Sequence, residues 1–341
     1  MPDFATLPPG ERALFFQQYQ HGHDVDPVIV EKDFWVCWLL GRIFVQPDLG
    51  GQVVFKGGTS LSKVFGAIAR FSEDIDLGIS PEVLGWPEEK LDGVSKNAWT
   101  ERVRPELEAN CARHVAEYWC PRLESSVQSV IGPAKTGDPW ISYHLDEASH
   151  SPVLTFAYPG ALPRGVAYIA RSVKVEFGSL SDQRPTGRHS IVAMVAALAP
   201  DAYPDFKADV VALEVERTFW EKATILHAEY HRPADKTQPA RYARHYADFA
   251  ALWRHPSGAR ASRQLDLLER VRKHKSRFFA SGWANYATAV PGTLCFVPPD
   301  SRLKALREDY AAMRPMFLNE PMPFDEMLAV LREAEQTLNQ R

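Results

Sequence analysis

Apolar and polar positions along this chain follow two different periods. Val53-Val54-Phe55 is a short β-branched and aromatic run, which predicts a buried strand. Gly57-Gly58 interrupts it and lets backbone come close to something bulky. Leu61, Val64, Phe65 and Ile68 then recur at helical spacing, behind Thr59 and Ser60, which can cap that helix. In Ser72-Glu73-Asp74-Ile75-Asp76-Leu77 the pattern returns to period two and predicts a second strand. Asp74 and Asp76 then face one way, Ile75 and Leu77 the other. Residues 152–158 read as a strand closed by Pro159-Gly160, and in 172–178 Val173, Val175 and Phe177 alternate with Lys174 and Glu176.

Elsewhere the helical period dominates. Residues 10–22 predict a short helix, and 30–40 a mostly buried one ending near Gly41 or Phe44, with Phe34, Trp35 and Trp38 in the core. Residues 97–118 are helical in pattern, with Pro105 expected to kink or divide them, while 123–151 read as hairpin or loop. Residues 184–188 are a turn-rich link, 190–198 a buried helix or strand, and 200–204 a soft domain boundary. Residues 213–227 carry Leu213, Phe219, Trp220, Ala223 and Leu226 on one broad face. In 241–253, Phe249 and Leu252 point inward while Arg244 and Asp248 lie one turn apart. Two further helical patterns fill 301–341. The expected fold is α/β (α+β), with a mixed sheet in a domain over residues 1–200 and a helical domain over 201–341.

At 341 residues, 45% apolar and 24% charged, the chain can bury a core large enough for two domains. Its four cysteines are scattered with no CxxC pair, which predicts neither a disulfide framework nor a structural zinc site. The N-terminal stretch lacks a basic segment followed by an apolar core, and no apolar run approaches the ~18 residues of a membrane span. A soluble cytoplasmic protein without a membrane partner is expected. The formal charge is −4, but residues 231–279 hold twelve Lys/Arg against four Asp/Glu, a local +8 that leaves −12 elsewhere. This asymmetry predicts a basic face suited to nucleic acid. Phe278 and Phe279 could stack on unpaired bases, although core burial is the plainer reading.

The strand–Gly-Gly–helix turn is suited to phosphate, because a helix N-terminus presents free N–H groups and partial positive charge. Two like-facing carboxylates about 4 Å apart repel by roughly 4 kcal/mol at an effective dielectric of about 20. A cation removes that cost, and oxygen-only ligands suit Mg²⁺, with Mn²⁺ as the alternative. The plain reading of the same residues is a capping serine and a solvated acidic turn. Glu176 is either a third metal ligand or a surface strand residue. Lys174 shares its face and either neutralises a phosphate or pairs with Glu176. Lys32 could reach a phosphate, though an exposed lysine is the simpler expectation.

The apolar strand, Gly-Gly, a thirteen-residue spacer after Ser60 and Asp-x-Asp resemble motif one of the DNA polymerase β-like nucleotidyltransferases. The fuller string GGTSLSK…RFSEDIDL resembles the AbiEii/AbiGii toxin family, which includes the MenT toxins, and EKDFWV is similar to the segment that precedes motif one there. The similarity covers residues 28–253, with four short motifs in order. It implies a polymerase β-like sheet and a helical domain completing the active cleft. Asp74 and Asp76 would be catalytic metal ligands, joined by Glu176. Lys222, after the Glu216/Arg217 pair, would reach the nucleotide phosphates or position the leaving group, the plain alternative being a solvated helix charge. Asp248 would lie in the cleft, the plain alternative being an Arg244–Asp248 ion pair. His245 could be a general base, a phosphate donor or a simple helix residue. The set expected to hold the NTP is Gly57, Gly58, Thr59, Ser60, Lys63, Ser72, Lys174 and Arg217. The implied reaction is transfer of a nucleoside monophosphate from an NTP to RNA, at the 3′ end of tRNA, blocking translation. A toxin of this kind is neutralised by a separately encoded antitoxin. Two rivals stay open: a protein or small-molecule hydroxyl as acceptor, and a non-catalytic RNA- or partner-binding protein.

Overall fold

The computed structural model describes residues 2–135, 137–147, 149–163, 170–279 and 281–341. Among the described residues, seven strands form one sheet: β1 (Val53–Lys56), β2 (Ile75–Ile79), β3 (Ile141–Leu145), β4 (Pro152–Phe156), β5 (Val173–Gly178), β6 (Thr186–Val192) and β7 (Lys207–Leu213). Their order is β3-β4-β5-β2-β1-β7-β6. β2 pairs parallel with β5, and β1 parallel with β7, whereas β1–β2, β3–β4 and β4–β5 are antiparallel. The expected mixed sheet is therefore present. Ile75, Leu77, Val173 and Val175 are fully buried at its centre, as their alternation requires.

The chain divides into two compact units. The first comprises Met1–Val64 and Glu73–Ala212, and the second Phe65–Ser72 and Leu213–Arg341. In the first, the helix Pro27–Phe44 starts with Pro27 at its first turn and Asp26 accepting a bond from Val28 N–H at 2.8 Å. Its Trp35 and Trp38 rings lie 5.7 Å from Phe156 of β4, and Phe34 packs on Phe4 at 4.8 Å. Each such buried side chain contributes about 1.5–3 kcal/mol. In the second unit, the helices Val215–Tyr230 and Ala243–Arg254 meet through Phe219 and Phe249, 5.1 Å apart. Leu265–Phe278, Asp300–Ala312 and Phe324–Asn339 complete its main helices. The segment 65–72 joins this unit through a β-bridge between Arg70 and Phe317, with Phe71 N–H donating to Met316 C=O at 2.7 Å.

Several elements differ from the sequence expectation. The helix after β1 spans Gly57–Lys63, so Thr59 and Ser60 lie inside it and do not cap it. The chain leaves helical geometry before Gly66, whose φ of +57° a right-handed helix cannot hold. β2 begins at Ile75, which leaves Asp74 one residue outside the strand. Residues 123–131, part of the stretch expected as hairpin or loop, belong to a helix, with Leu123 and Val127 buried one turn apart and the polar residues between them on the outer face. Pro105 does not divide its helix either. Residues 96–131 are one continuous helical run, with π turns at Trp99–Val103 and Val115–Trp119. Each π turn precedes a proline, Pro105 or Pro121, and its wider spacing takes in the ring that would otherwise strike the carbonyl four residues back. Among the described residues, no helix is long and apolar enough to cross a membrane.

Candidate active site

The sheet register gathers the acidic residues of the first unit. Asp76 is opposite Lys56 on β1 and opposite Glu176 on β5, so Asp76 and Glu176 are neighbours on one face. Gly57, the first residue after β1, has φ +81°, and a Cβ built on it would lie 2.0 Å from Asp76 Oδ2. Only glycine therefore leaves room for the Asp76 carboxylate. Thr59 Oγ1 donates to the backbone C=O of Asp74 and ties the start of the helix to the residue before β2. Ser60 is fully buried, and its hydroxyl has no hydrogen-bond partner in the protein. An orphaned buried hydroxyl of this kind suits a bound oxygen atom.

Burial pushes the Asp74 carboxyl up to about 6, and the charges of Glu73, Glu176 and Asp76 push the same way. Lys174 opposes them but is itself engaged, 2.5 Å from Glu176 and 3.9 Å from Asp146. The result is an excess of negative charge on oxygen donors only, which fits a hard divalent cation. Asp74 and Asp76 are two of the carboxylates expected to hold such an ion. Glu176 is held by Lys174 and would have to exchange that partner for a metal.

A second charged cluster lies wholly within the other unit. Asp248 is 1% exposed and accepts from Arg70 Nε at 2.7 Å, Arg70 Nη2 at 2.9 Å and Lys222 Nζ at 2.7 Å. Burial alone would raise the Asp248 pKa, but Arg70 and then Lys222 override it and hold the carboxyl far below its ordinary range. Lys222 Nζ also lies 3.0 Å from His245 Nδ1. Burial and the adjacent cations keep His245 neutral, so its Nδ1 accepts from the Lys222 ammonium. Burial lowers the Lys222 pKa, with Asp248 opposing.

Other expected site residues have structural partners. Asp248 is held by Arg70, from 178 positions earlier, and by Lys222, and not by Arg244. Lys63 pairs with buried Asp33 at 2.6 Å, and Arg217 is fully buried with its Nε on Glu221 at 3.1 Å. Each would have to exchange that partner to reach a nucleotide. Ser72 is half-buried in the extended run before β2. Lys32 is not an exposed lysine: it is 2% exposed and bonded to Glu73 and to Ala170 C=O. The basic stretch is also less bare than its sequence. Arg232 pairs with Glu229, Arg254 with Glu333 and Arg260 with Glu216, so folding supplies acids from outside residues 231–279. Lys275 is buried against Glu221 C=O, while Phe279, expected in the core, is 44% exposed. The sequence reading missed Arg70, Asp33 and Glu73 as partners. One signal was present: three successive charges, Glu31-Lys32-Asp33, inside a helix predicted to be buried must each find a partner.

No curated protein sequence matches the chain. A similar solved structure is MenT4, a nucleotidyltransferase toxin from Mycobacterium tuberculosis H37Rv, with TM-score 0.49 and 16% identity over 97% of this chain and 90% of that one. Residues 38–330, most of the chain, match the family described as "Nucleotidyl transferase AbiEii toxin, Type IV TA system". With the Gly-Gly turn directly after β1 and the Asp-x-Asp pair at the start of β2, the chain belongs to the AbiEii nucleotidyltransferase toxin family.

Proposed function

We propose that this toxin transfers a nucleoside monophosphate from an NTP to RNA, at the 3′ end of tRNA, with Mg²⁺, and so blocks translation until a partner antitoxin neutralises it. Family membership supports nucleotidyl transfer and an antitoxin. The tRNA acceptor follows the resemblance of the four motifs to MenT-like toxins. The observation that carries the site assignment is the Asp76 carboxylate seated over Gly57, beside an Asp74 raised to about 6 by burial and neighbouring carboxylates.

Asp74 and Asp76 would hold the divalent ion, with Glu176 joining on release from Lys174. When bound, such an ion supplies neutralisation of charge on the NTP phosphates. The chain supplies the rest. Gly57 and Gly58 admit a phosphate close to backbone, and the Ser60 hydroxyl donates to a phosphate oxygen. Thr59 fixes the Asp74 backbone and thereby aims its carboxylate. Lys222 takes the phosphate-binding role its motif implies, and Asp248 acts as a positioning residue that holds the Lys222 ammonium.

The test is incubation with total tRNA, Mg²⁺ and each α-³²P-labelled NTP, beside Asp76→Asn. Label on tRNA that disappears in the variant supports the reading, and undiminished incorporation by Asp76→Asn overturns the site. A second reading, with a protein or small-molecule hydroxyl as acceptor, is favoured by the pairing of Arg232, Arg254 and Arg260 with acidic partners. Label on protein in the same experiment would select it.

A further inference from the structure

The second unit brings together three side chains that the nucleotidyl-transfer reading does not use. His227 and His231 are four residues apart at the end of the helix Val215–Tyr230, where His231 is the residue that closes it. That spacing puts both imidazoles on one face, with ring centroids 4.9 Å apart. Cys295 comes from the irregular stretch before the helix Asp300–Ala312. Each of the three offers a ligand atom, and these atoms all lie within 4.8 Å of one another. Among the described residues this is the one such set; the carboxylates of the acidic site do not converge as closely.

The surroundings hold the set in place. Leu294, next to Cys295, exchanges two 2.9 Å hydrogen bonds with the Asn339 side chain. On the other side, the N–H groups of Phe296 and Val297 both donate to Glu335. The cysteine is thus clamped from both flanks onto the helix Phe324–Asn339. His227 is fully buried, with Nε2 3.2 Å from Asn285 C=O and 3.1 Å from Thr288 Oγ1. A carbonyl on one ring nitrogen is the usual orienting contact of a metal-ligating histidine and leaves Nδ1 as its ligand atom. At present Nδ1 accepts from Cys295 N–H at 3.2 Å, a bond that ligation would exchange.

We propose that His227, His231 and Cys295 form a Zn²⁺ site with a water in the fourth position. Two imidazoles and a thiolate are a nitrogen–sulfur set that suits zinc. Zn–N near 2.1 Å and Zn–S near 2.3 Å in a tetrahedron put the ligand atoms roughly 3.3–3.8 Å apart, so side-chain adjustments of about an ångström close the site. On binding, the Cys295 thiol loses its proton to solvent and the thiolate sulfur bonds the metal. The ion would staple the end of the Lys222 helix to the stretch around Cys295. The absence of CxxC spacing predicted no structural zinc. A His-x₃-His pair completed by a cysteine 64 positions later escapes such a scan.

The test uses full-length protein carrying Asp74→Ala/Asp76→Ala, so that the acidic site contributes no metal. After chelator stripping it is titrated with ZnCl₂ against a chromophoric indicator, and separately with CoCl₂. One equivalent of zinc, a rise in Tm and a thiolate-to-cobalt charge-transfer band are expected. Adding Cys295→Ser or His231→Asn should abolish the band and weaken zinc about 100-fold, whereas Cys120→Ser should change neither. The half-buried His231 and Cys295 are chosen in place of the core residue His227. Absence of stoichiometric zinc, or a cobalt band that survives Cys295→Ser, overturns the site.

Discussion

Arg70 grips Asp248 through two hydrogen bonds, of 2.7 and 2.9 Å, with both side chains almost fully buried. Lys222 shares the same carboxylate. Replacing Asp248 with Asn therefore leaves two cations in the interior with one neutral amide between them. Breaking a buried pair in this way costs about 3–5 kcal/mol. Urea unfolding of Asp248→Asn should show a loss of that size. Unchanged stability would mean that the carboxylate serves chemistry alone.

Gly57 and Gly66 both have positive φ, but only Gly57 faces a side chain. Gly57→Ala places a methyl group on the Asp76 carboxylate as well as straining the backbone. Nucleotidyl transfer should fall at least about 100-fold, the scale of misplacing a reacting group by an ångström. Gly66→Ala meets nothing within 4 Å and bears only the left-handed penalty, about 1–2 kcal/mol. Its transfer rate should be retained. Equal rates for the two variants would remove the Gly57–Asp76 contact from the mechanism.

The Lys63–Asp33 pair offers a second stability test. Asp33 is 2% exposed and also accepts from Met194 N–H at 2.7 Å. Burial opposes the Lys63 charge, but Asp33 outweighs it and raises the ammonium pKa. Lys63→Met should destabilise by about 3–5 kcal/mol, and adding Asp33→Asn should recover most of that loss, because the amide oxygen still accepts from Met194. The KM for NTP of folded Lys63→Met should match the parent. A raised KM without loss of stability would instead place Lys63 at the nucleotide.

Lys275 sets an alkaline dependence. Burial lowers its pKa from 10.5 to about 8. Between those values the unfolded chain binds the extra proton, so this residue makes stability rise with pH from about 8 to about 10.5. The ceiling, at 1.36 kcal/mol per unit, is about 3 kcal/mol. Lys275→Met should abolish that part of the slope in urea unfolding at pH 7.5, 9 and 10. Parallel slopes for parent and variant would show that Lys275 stays charged in the fold.

What the sequence revealed was local. Val53-Val54-Phe55, the Gly-Gly break and the alternation through Asp76 and Val173–Phe177 are period-two and turn signals read within a few residues, and β1, its end at Gly57, β2 and β5 answer to them. What it hid was partnership. Lys63 and Lys32 look like any basic residues until the fold supplies Asp33 and Glu73. The local +8 shrinks for the same reason, since Glu229, Glu333 and Glu216 lie outside the counted stretch. The helix through Pro105 and Pro121 was hidden because the π turns that accommodate the rings leave no compositional trace.

The eight residues 65–72 carry a last consequence. They sit between Gly57 and Asp74 in sequence, yet they belong to the second unit. The polypeptide therefore passes from one unit to the other three times, after Val64, Ser72 and Ala212. No single cut separates this protein into modules. A fragment beginning at Leu213 would lack Arg70 and the bridge to Phe317, leaving Asp248 with Lys222 alone. The helical half cannot be shuffled, truncated or transplanted as a cassette, because a strip of it is encoded between Gly57 and Asp74.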